Sequence, residues 1–367
     1  MKTYIIRNTV ILIITLLLVS FVSNKNNSEF NKKPRNIIFL IGDGMGIAHL
    51  YAGMTRNHGK LFIEEITHVG LQKTYSADSY ITDSAASGTA MASGTKTKNG
   101  VIGQDTTGAA VKSILEYAED NGLATGLIST SAITHATPAS FIAHVENRGL
   151  YEDIAADFLK TEIDVFIGGG ADHFMHRMDS VDLVEVLKGK GYSVLFDMEQ
   201  ITRMENGKLA GFTANVHNPP YLQGRNDMLP EATRTALNIL SKNRDGFFLM
   251  VEGSQIDWGG HGNDTEYIIS EMLDFDRAIK EALDFAMNDK NTLVVITADH
   301  ETGGMSLIGG DFISGEVNAN YGSTDHTGVM VPVYAYGPGA EEFTGIYENT
   351  DLFEKFMKVY GFKKDKE

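Results

Sequence analysis

The stretch NIIFLIGDGMG, residues 36–46, decides the fold class. Residues 37–41 are all apolar, which is typical of a strand buried on both faces of a parallel sheet. The glycines that follow let the backbone turn sharply, so that Asp43 projects from the tip of the strand. An aspartate in such a turn can also be ordinary turn chemistry. The stretch nevertheless predicts an α/β fold with an acidic side chain at the end of the sheet where such folds bind ligands.

Five further apolar runs have the same character, and helical patterns lie between them. The runs cover residues 124–130, 164–167, 246–251, 292–298 and 331–336. The helical patterns consist of Val111, Ile114, Leu115 and Ala118, and of Ile268, Met272, Phe275, Ile279 and Leu283. This alternation predicts a mostly parallel central sheet with helices on both faces. Residues 302–325, rich in Gly, Asn and Ser, are predicted to be a small inserted loop region.

The composition fits a globular protein and limits its partners. The chain has 367 residues, of which 43% are hydrophobic, so a sizeable buried core is expected. The formal net charge of -17 disfavours binding to nucleic acids or anionic membranes, because both need a basic surface. If the ligand is a phosphate anion, bound cations must reverse this charge locally. The charge therefore favours a metalloprotein if the motifs agree.

The N-terminus is typical of an export signal. Lys2 and Arg7 precede an apolar run from Thr9 to Val22, which is short for a membrane span and fits a signal peptide. We expect residues 1–23 to be a signal peptide, with an uncleaved anchor as the alternative, and residues 34–362 to form a single domain. The mature protein would then be periplasmic or secreted, without stable membrane insertion. The absence of cysteine excludes disulfides.

The segment TDSAASGTA, residues 82–90, has the features of a helix start packed with small residues. Thr82 or Asp83 can cap this helix, which leaves Ser84 in the first turn. There the backbone N–H groups and the positive end of the helix dipole favour an alkoxide and a bound phosphate. The simpler interpretation is a serine that only caps a closely packed helix. Ser84 is therefore a candidate nucleophile only if other groups activate it.

Side chains that can bind metals follow several of the predicted strands. They are Asp43, His135, Thr137, Glu252, Asp257, His261, Asp299, His300 and His326, and Arg148 follows Thr137 by eleven residues. Any single one of them could be a surface residue or a loop cap. Because parallel strands end at the same edge of a sheet, we expect them to converge there. Their mixture of carboxylate, imidazole and hydroxyl groups suits Zn²⁺ and Mg²⁺ together.

Together these motifs resemble the alkaline phosphatase family. The likeness extends from Asn36 to Gly339, and its most specific parts are residues 82–94, 251–261 and 297–302. In detail the chain is similar to short, disulfide-free bacterial members. The resemblance implies hydrolysis of small phosphate monoesters to an alcohol and inorganic phosphate, with a phosphoserine intermediate and an alkaline pH optimum. It also implies a homodimer.

The resemblance assigns roles to individual residues. It implies that Ser84 is the nucleophile and that Arg148 clamps the phosphate. It implies two Zn²⁺ and one Mg²⁺, with Asp257, His261 and His326 at the first zinc, Asp43, Asp299 and His300 at the second, and Asp43, Thr137 and Glu252 at the magnesium. His135 stands beside the magnesium where some relatives have an acidic residue, so this third site can accept zinc instead. Trp258 replaces a cationic or imidazole side chain near the phosphate and is expected to shape the pocket wall.

Three other functions fit the sequence less well. A phosphodiesterase or other phosphoryl-transfer enzyme of the same superfamily would usually have a threonine nucleophile, and Ser84 and Arg148 argue against it. A sulfatase nucleophile is followed by Pro-x-Arg, which Ala85-Ala86-Ser87 does not match. A metal-dependent phosphate-binding protein without activity would need a broken nucleophile or ligand set, and none is broken here.

Overall fold

A ten-stranded sheet forms the centre of the structure, a computed structural model that describes residues 33–364. The strands of the described residues, in the large sheet and in two small two-stranded sheets, are β1 (Asn36–Gly42), β2 (His68–Lys73), β3 (Ala124–Ala132), β4 (Val165–Gly169), β5 (Ser193–Leu195), β6 (Leu209–Phe212), β7 (Phe247–Gly253), β8 (Thr292–Thr297), β9 (Glu301–Thr302), β10 (Met305–Asp311), β11 (Glu316–Tyr321), β12 (His326–Thr327), β13 (Val331–Tyr336) and β14 (Gly345–Glu348). The order in the large sheet is β14-β2-β13-β8-β1-β7-β3-β4-β6-β5. The predicted signal peptide, residues 1–23, lies outside the described residues.

Helices lie between most of the strands. They are α1 (Ile47–Arg56), α2 (Ser84–Ser93), α3 (Ile114–Asp120), α4 (Ala136–Ala139), α5 (Tyr151–Asp157), α6 (Ala171–Met175), α7 (Leu183–Gly189), α8 (Met198–Thr202), α9 (Met228–Leu240), α10 (Gln255–His261), α11 (Thr265–Asp289) and α12 (Thr350–Tyr360), with 3₁₀ turns at Phe62–Glu65, Tyr221–Gln223 and Ala340–Phe343. Within residues 33–364, none of these helices combines the length and the apolar character needed to cross a membrane.

The prediction of a mostly parallel sheet is confirmed. All six predicted strands belong to the large sheet, as β1, β3, β4, β7, β8 and β13. Only β13 runs antiparallel to its neighbours within this sheet, which are β2 and β8. The parallel pairing follows from the helical crossovers, since a chain that returns through a helix re-enters the sheet in the same direction.

Helices cover both faces of the sheet, as predicted. In β1, Ile37, Phe39 and Ile41 belong to one core cluster, whereas Ile38 and Leu40 belong to the other. Because successive side chains of a strand point to opposite faces, the apolar run of β1 fills both layers. The first layer includes residues of α2, α3 and α12, and the second includes residues of α1, α9 and α11. Burying one such side chain contributes about 1.5–3 kcal/mol to stability.

One helix is shorter than its sequence pattern indicates. The pattern beginning at Val111 predicts an earlier start, but α3 begins at Ile114. The reason is a capping box: the Ser113 hydroxyl accepts a hydrogen bond from the Glu116 N–H, and the Glu116 carboxylate accepts one from the Ser113 N–H. Val111 lies outside the helix. The second pattern is buried throughout, within α11.

The segment predicted to be a loop region, residues 302–325, contains an antiparallel hairpin instead. Strands β10 and β11 pair along their length, with one irregularity between Leu307 and Gly309. In β11 the side chains alternate strictly, and Val317 and Ala319 pack against the core while their neighbours face solvent. The outward-facing glycine, asparagine and serine residues hid this period of two from sequence analysis.

The four strands that matter for the site are neighbours in the order β8-β1-β7-β3. Their register brings Ile41 level with both Glu252 and Thr297, and Ser129 level with Glu252. The strands are parallel, so their carboxyl ends all meet at one edge. The residues that follow these strand ends, far apart in sequence, are therefore brought together.

Candidate active site

Ser84 is the first residue of α2, and Asp83, rather than Thr82, caps the helix. The Asp83 carboxylate accepts a hydrogen bond of 2.9 Å from the Ala86 N–H. The Ser84 Oγ lies 3.4 Å from His300 Nε2 and the side chain is buried. All ten residues of α2 are buried, and a Cβ on Gly88 would come within 2.7 Å of the Ser140 hydroxyl. The small residues of this helix therefore serve the close packing that fixes Ser84.

A first group of side chains that could hold a metal ion consists of Asp257, His261 and His326. Helix α10 puts Asp257 and His261 four residues apart on one face. The two imidazole Nε2 atoms are 3.2 Å apart, and they lie 3.4 and 3.5 Å from Asp257 Oδ1. Both Nδ1 atoms donate to backbone carbonyls, those of Thr324 and Thr82, at 2.8 Å. The lone pairs of both Nε2 atoms therefore face a common point, as in histidine-ligated metal sites.

A second group, Asp43, Asp299 and His300, is completely buried. His300 Nε2 lies 3.5 Å from Asp43 Oδ1 and 3.2 Å from Asp299 Oδ2. Burial, followed by the charge of Asp299, raises the pKa of Asp43 well above its usual range. Burial also raises the pKa of Asp299 to about 6. Without a cation, these carboxyl groups bind protons more readily than ordinary aspartates do. A positive charge at this group would keep them ionised.

A third group shares Asp43 and adds His135 and Glu252, which are also buried. The hydroxyls of Ser129 and Ser254 both donate to Glu252 Oε2, at 2.6 and 2.7 Å. This cradle leaves Oε1 free of protein hydrogen bonds among the described residues. Burial raises the pKa of Glu252 to about 7 despite the two hydroxyls. The serine cradle therefore orients one carboxylate oxygen toward the shared centre.

Several buried polar atoms at these groups have no hydrogen-bond partner within residues 33–364. They are both carboxylate oxygens of Asp43, Asp299 Oδ2, Glu252 Oε1, His135 Nδ1 and Thr137 Oγ1. An unsatisfied buried polar group costs about 1–3 kcal/mol, and more when it is charged. A cation at each group would satisfy them. Carboxylate with imidazole suits zinc, whereas the carboxylate and hydroxyl oxygens around Glu252 suit magnesium, so the residues present fit the expected ions.

Arg148 lies between the start of α2 and the third group. Its Nη1 donates to Asp83 Oδ2 at 2.9 Å, and its Nη2 donates to His135 Nε2 at 3.4 Å. Burial opposes the charge of Arg148, but the Asp83 carboxylate outweighs burial and raises the pKa of the guanidinium. Asp83 is therefore both a helix cap and the partner of Arg148. The sequence indicates only the first role, because the second joins residues 65 positions apart.

Trp258 is half-buried and packs edge-to-face against two imidazoles. Its ring centroid lies 6.3 Å from that of His135 and 5.0 Å from that of His217. Sequence analysis missed His217, which lies in an irregular segment and follows none of the predicted strands. It also missed Thr302, whose hydroxyl donates to Asp257 Oδ1 at 2.5 Å and lies 3.2 Å from His300 Nδ1. Thr302 lies two residues after His300, and this closeness to the strand-end pair Asp299-His300 is the signal in the sequence that could have identified it.

The sequence model of the alkaline phosphatase family matches residues 34–322 and 313–361. The chain belongs to the alkaline phosphatase family. It is 36% identical to alkaline phosphatase 4 of Bacillus subtilis strain 168, with 89% of this chain and 88% of that protein covered. Among solved structures, it is similar to the alkaline phosphatase from the Antarctic bacterium TAB5, with 43% identity, a TM-score of 0.86 and coverage of 91% of this chain and 99% of that one.

A variant of the TAB5 enzyme, in which a histidine is replaced by aspartate, has been solved with Mg bound in its M3 site. Its TM-score to this chain is 0.85, with 42% identity and coverage of 91% and 99%. As an alkaline phosphatase-family enzyme, this chain hydrolyses phosphate monoesters and depends on metal ions. The three side-chain groups supply a metal-binding arrangement that fits this activity.

Proposed function

We propose that Ser84 attacks the phosphorus of a phosphate monoester and forms a phosphoserine intermediate, at a site holding two Zn²⁺ and one Mg²⁺. The single observation that carries this proposal is the position of Ser84 Oγ. It lies at the N-terminus of α2 and 3.4 Å from His300 Nε2, beside the second group of candidate ligands. A serine that only capped a helix would not need buried carboxylates and imidazoles around it.

The chain's own residues would divide the work as follows. When bound, the metal ions supply Lewis-acid activation and neutralise negative charge. The Ser84 hydroxyl loses its proton to solvent and forms the new O–P bond as the bond from phosphorus to the alcohol oxygen breaks in line with it, and the departing alcohol takes up a proton from solvent. Arg148 binds two non-bridging phosphate oxygens. The alcohol leaves on the side of the first group, where His261 is exposed to solvent. Water then attacks the phosphoserine from that side, which releases phosphate and restores Ser84.

We assign the ions to the three groups by their donors. Asp257, His261 and His326 would hold the first zinc, and Asp43, Asp299 and His300 the second. Thr137 and Glu252 would hold magnesium together with Asp43, which also belongs to the second group. The magnesium-bound TAB5 variant supports a magnesium preference for oxygen donors at such a site. With His135 beside it, the third site can accept zinc instead, and metal analysis of the purified protein distinguishes the two.

The assignment to phosphate monoesters is tested with three esters of one phenol. The phosphate monoester should be hydrolysed much faster than the diester or the sulfate. A monoester is a dianion, and the positive charge of Arg148 and of cations at the three groups would balance its two charges. Rates are measured before and after chelation, at rising pH. We expect activity to rise toward alkaline pH, since the attacking hydroxyls must lose protons. A diester hydrolysed faster than the monoester would contradict the assignment.

Arg148→Ala should mainly weaken phosphate binding. Loss of two charge-assisted hydrogen bonds of about 1.5 kcal/mol each predicts a rise of about 100-fold in the inhibition constant of inorganic phosphate. Arg148→Lys should recover only part of it, since an ammonium cannot bind two oxygens in the planar fork. The matched control is Arg234→Ala, which removes an exposed ion pair with Glu281. An unchanged phosphate constant in Arg148→Ala would rule out the clamp.

We further propose that residues 1–23 direct export to the periplasm or the medium and that residues 34–362 form one catalytic domain. The family match, which begins at residue 34 and ends at residue 361, supports this division. N-terminal sequencing of the exported protein tests it. We also propose a homodimer, on the family resemblance, and light scattering tests this.

A further inference from the structure

Three aromatic rings meet beside Arg148, and one of them, His217, has no role in the proposed mechanism. The His217 ring centroid lies 5.0 Å from Trp258 at an interplanar angle of 84°. It lies 5.7 Å from His135 at 86°. The edge of one ring therefore meets the face of the next, which is the favourable arrangement of aromatic pairs. His217 contacts both Trp258 and His135, the two positions at which this chain departs from some relatives.

The His217 ring is held by a hydrogen bond to the backbone. Its Nδ1 accepts the N–H of Ala132 at 3.0 Å. Ala132 is the last residue of β3, three residues before His135. Since Nδ1 accepts, the ring proton is on Nε2. The His217 side chain thus connects the segment that carries His135 and Thr137 to the Trp258 ring.

The backbone around His217 is fixed as well. The Ala214 carbonyl accepts hydrogen bonds from the N–H groups of Gly170 and Ala171, at 3.0 and 3.2 Å. The Val216 carbonyl approaches Gly169 so closely that a Cβ there would lie 2.2 Å from it. Residues 213–217 are therefore packed closely against the end of β4 and the start of α6. The ring of His217 is presented from a rigid support.

A second link joins the same segment to the helix of Trp258. Gln255, three residues before Trp258 in α10, donates from Nε2 to the carbonyls of Asn218 and Thr130, at 2.9 and 3.0 Å. Further along the chain, the buried Arg225 donates to Asp274 at 2.8 Å and also pairs with Glu271. His217 thus lies between two anchors. Its contact with Trp258 is part of a fixed connection between β3, the 213–218 segment and α10.

We propose that His217 is a positioning residue that holds the Trp258 ring as the wall of the phosphate site. The inference rests on the proposed function, in which Arg148 binds the phosphate and Asp257, the residue before Trp258, belongs to the first group. Trp258 is half-buried, and the His217 ring packs edge-to-face against it. Without this support the indole can turn about its side-chain bonds, and the wall beside Arg148 and His135 loosens. Phosphate and substrate binding should suffer more than the chemical step.

Three substitutions separate the ring of His217 from its hydrogen bond. His217→Phe keeps a ring but loses the acceptor for the Ala132 N–H. His217→Asn keeps an acceptor at the same position but loses the ring. His217→Ala loses both. Trp258 is the only tryptophan in the chain, so intrinsic fluorescence reports on its ring alone.

We expect His217→Ala and His217→Asn to lower the fluorescence anisotropy of Trp258 and to shift its emission to longer wavelength. Both should raise KM for phenyl phosphate and the inhibition constant of inorganic phosphate about threefold to tenfold, the scale of one lost edge-to-face pair, with kcat changed less than about twofold. His217→Phe should keep the wild-type anisotropy and KM, while its melting temperature falls. The matched control is His176→Ala, an exposed histidine paired only with Asp172.

The inference is overturned if His217→Asn has the anisotropy and phosphate constant of the wild type. It is also overturned if His217→Phe raises KM as much as His217→Asn, because the hydrogen bond and not the ring would then matter. A fall in melting temperature without any change in the ratio of KM to kcat indicates a purely structural role and contradicts the proposal. A wild-type protein that binds phosphate, as followed by Trp258 fluorescence, but does not hydrolyse phenyl phosphate contradicts the proposed function instead.

Discussion

Ser84→Ala is expected to lower kcat for an aryl phosphate by at least about 1000-fold, as loss of a catalytic nucleophile typically does. The variant loses the oxygen proposed to form the O–P bond, and within residues 33–364 no other hydroxyl lies within hydrogen-bond distance of His300 Nε2. Ser84 is the first residue of α2, so alanine at this position keeps the helix and its Asp83 cap. Metal content, fold and phosphate binding should therefore remain close to those of the wild type.

The measurement combines turnover with trapping of the intermediate. Wild-type protein quenched in acid during turnover should carry a phosphate on Ser84, detectable by mass spectrometry, and Ser84→Ala should carry none. Ser93→Ala is the matched control, because Ser93 lies at the other end of the same helix and donates to the Thr89 carbonyl. Equal kcat values for the wild type and Ser84→Ala would contradict the assignment of Ser84 as the nucleophile. A phosphate found on another residue would do so too.

The sequence predicts this site well because its parts follow strand ends. An apolar run such as residues 37–41 predicts a buried strand, and parallel strands must end together. The sequence therefore predicts that Asp43, Glu252 and Asp299 lie at one edge of the sheet. The structure places the end of β1 between those of β7 and β8, and the side chains meet there. Here a local pattern was enough, because the sheet converts sequence order into spatial order.

Other contacts depend on tertiary packing that no local pattern encodes. Asp83 caps α2, whereas Arg148 lies in the loop between α4 and α5, so their ion pair joins two segments that are distant in sequence. The segment that carries His217 packs closely against Gly169, where the Val216 carbonyl approaches the backbone. A glycine in a strand does not predict which backbone approaches it. The hairpin of β10 and β11 was missed since its outward side chains have turn-forming character. Sequence patterns identify strand ends, whereas close approach and pairing between distant segments must be observed.

The chain carries a net charge of -17 and still concentrates carboxyl groups in its interior. Asp43, Asp299 and Glu252 are all completely buried, and each has a raised pKa, chiefly because of burial. Such an arrangement is unstable unless positive charge is present. If these carboxyl groups hold the metal ions, as proposed, then the fold depends on those ions.

Removal of the metal ions is expected to abolish turnover and to destabilise the fold most strongly at alkaline pH. In the metal-free fold the pKa of Glu252 is about 7 against an ordinary 4.5, and that of Asp299 is about 6 against 3.8. The folded state thus holds these protons more tightly than the unfolded chain does. The contribution of these two groups to stability is fully present below about pH 4 and is lost as the pH rises through 6 and 7. At pH 8 the loss from these two groups amounts to roughly 6 kcal/mol, since each pKa unit corresponds to about 1.4 kcal/mol.

The melting temperature, measured from pH 5 to pH 9 with and without chelator, tests this dependence. At pH 8 to 9 the chelator should lower it by about 10 °C or more, and at pH 5 by much less, because protons then replace part of the metal charge. Glu252→Gln removes one buried charge, so its metal-free form should lose less stability at pH 9 than the metal-free wild type. Glu119, whose pKa burial raises to about 7 outside the three groups, is the control. Glu119→Gln should alter stability equally with and without metal. A chelator effect of the same size at pH 5 and pH 9 would mean that the buried carboxyl groups do not couple metal binding to folding.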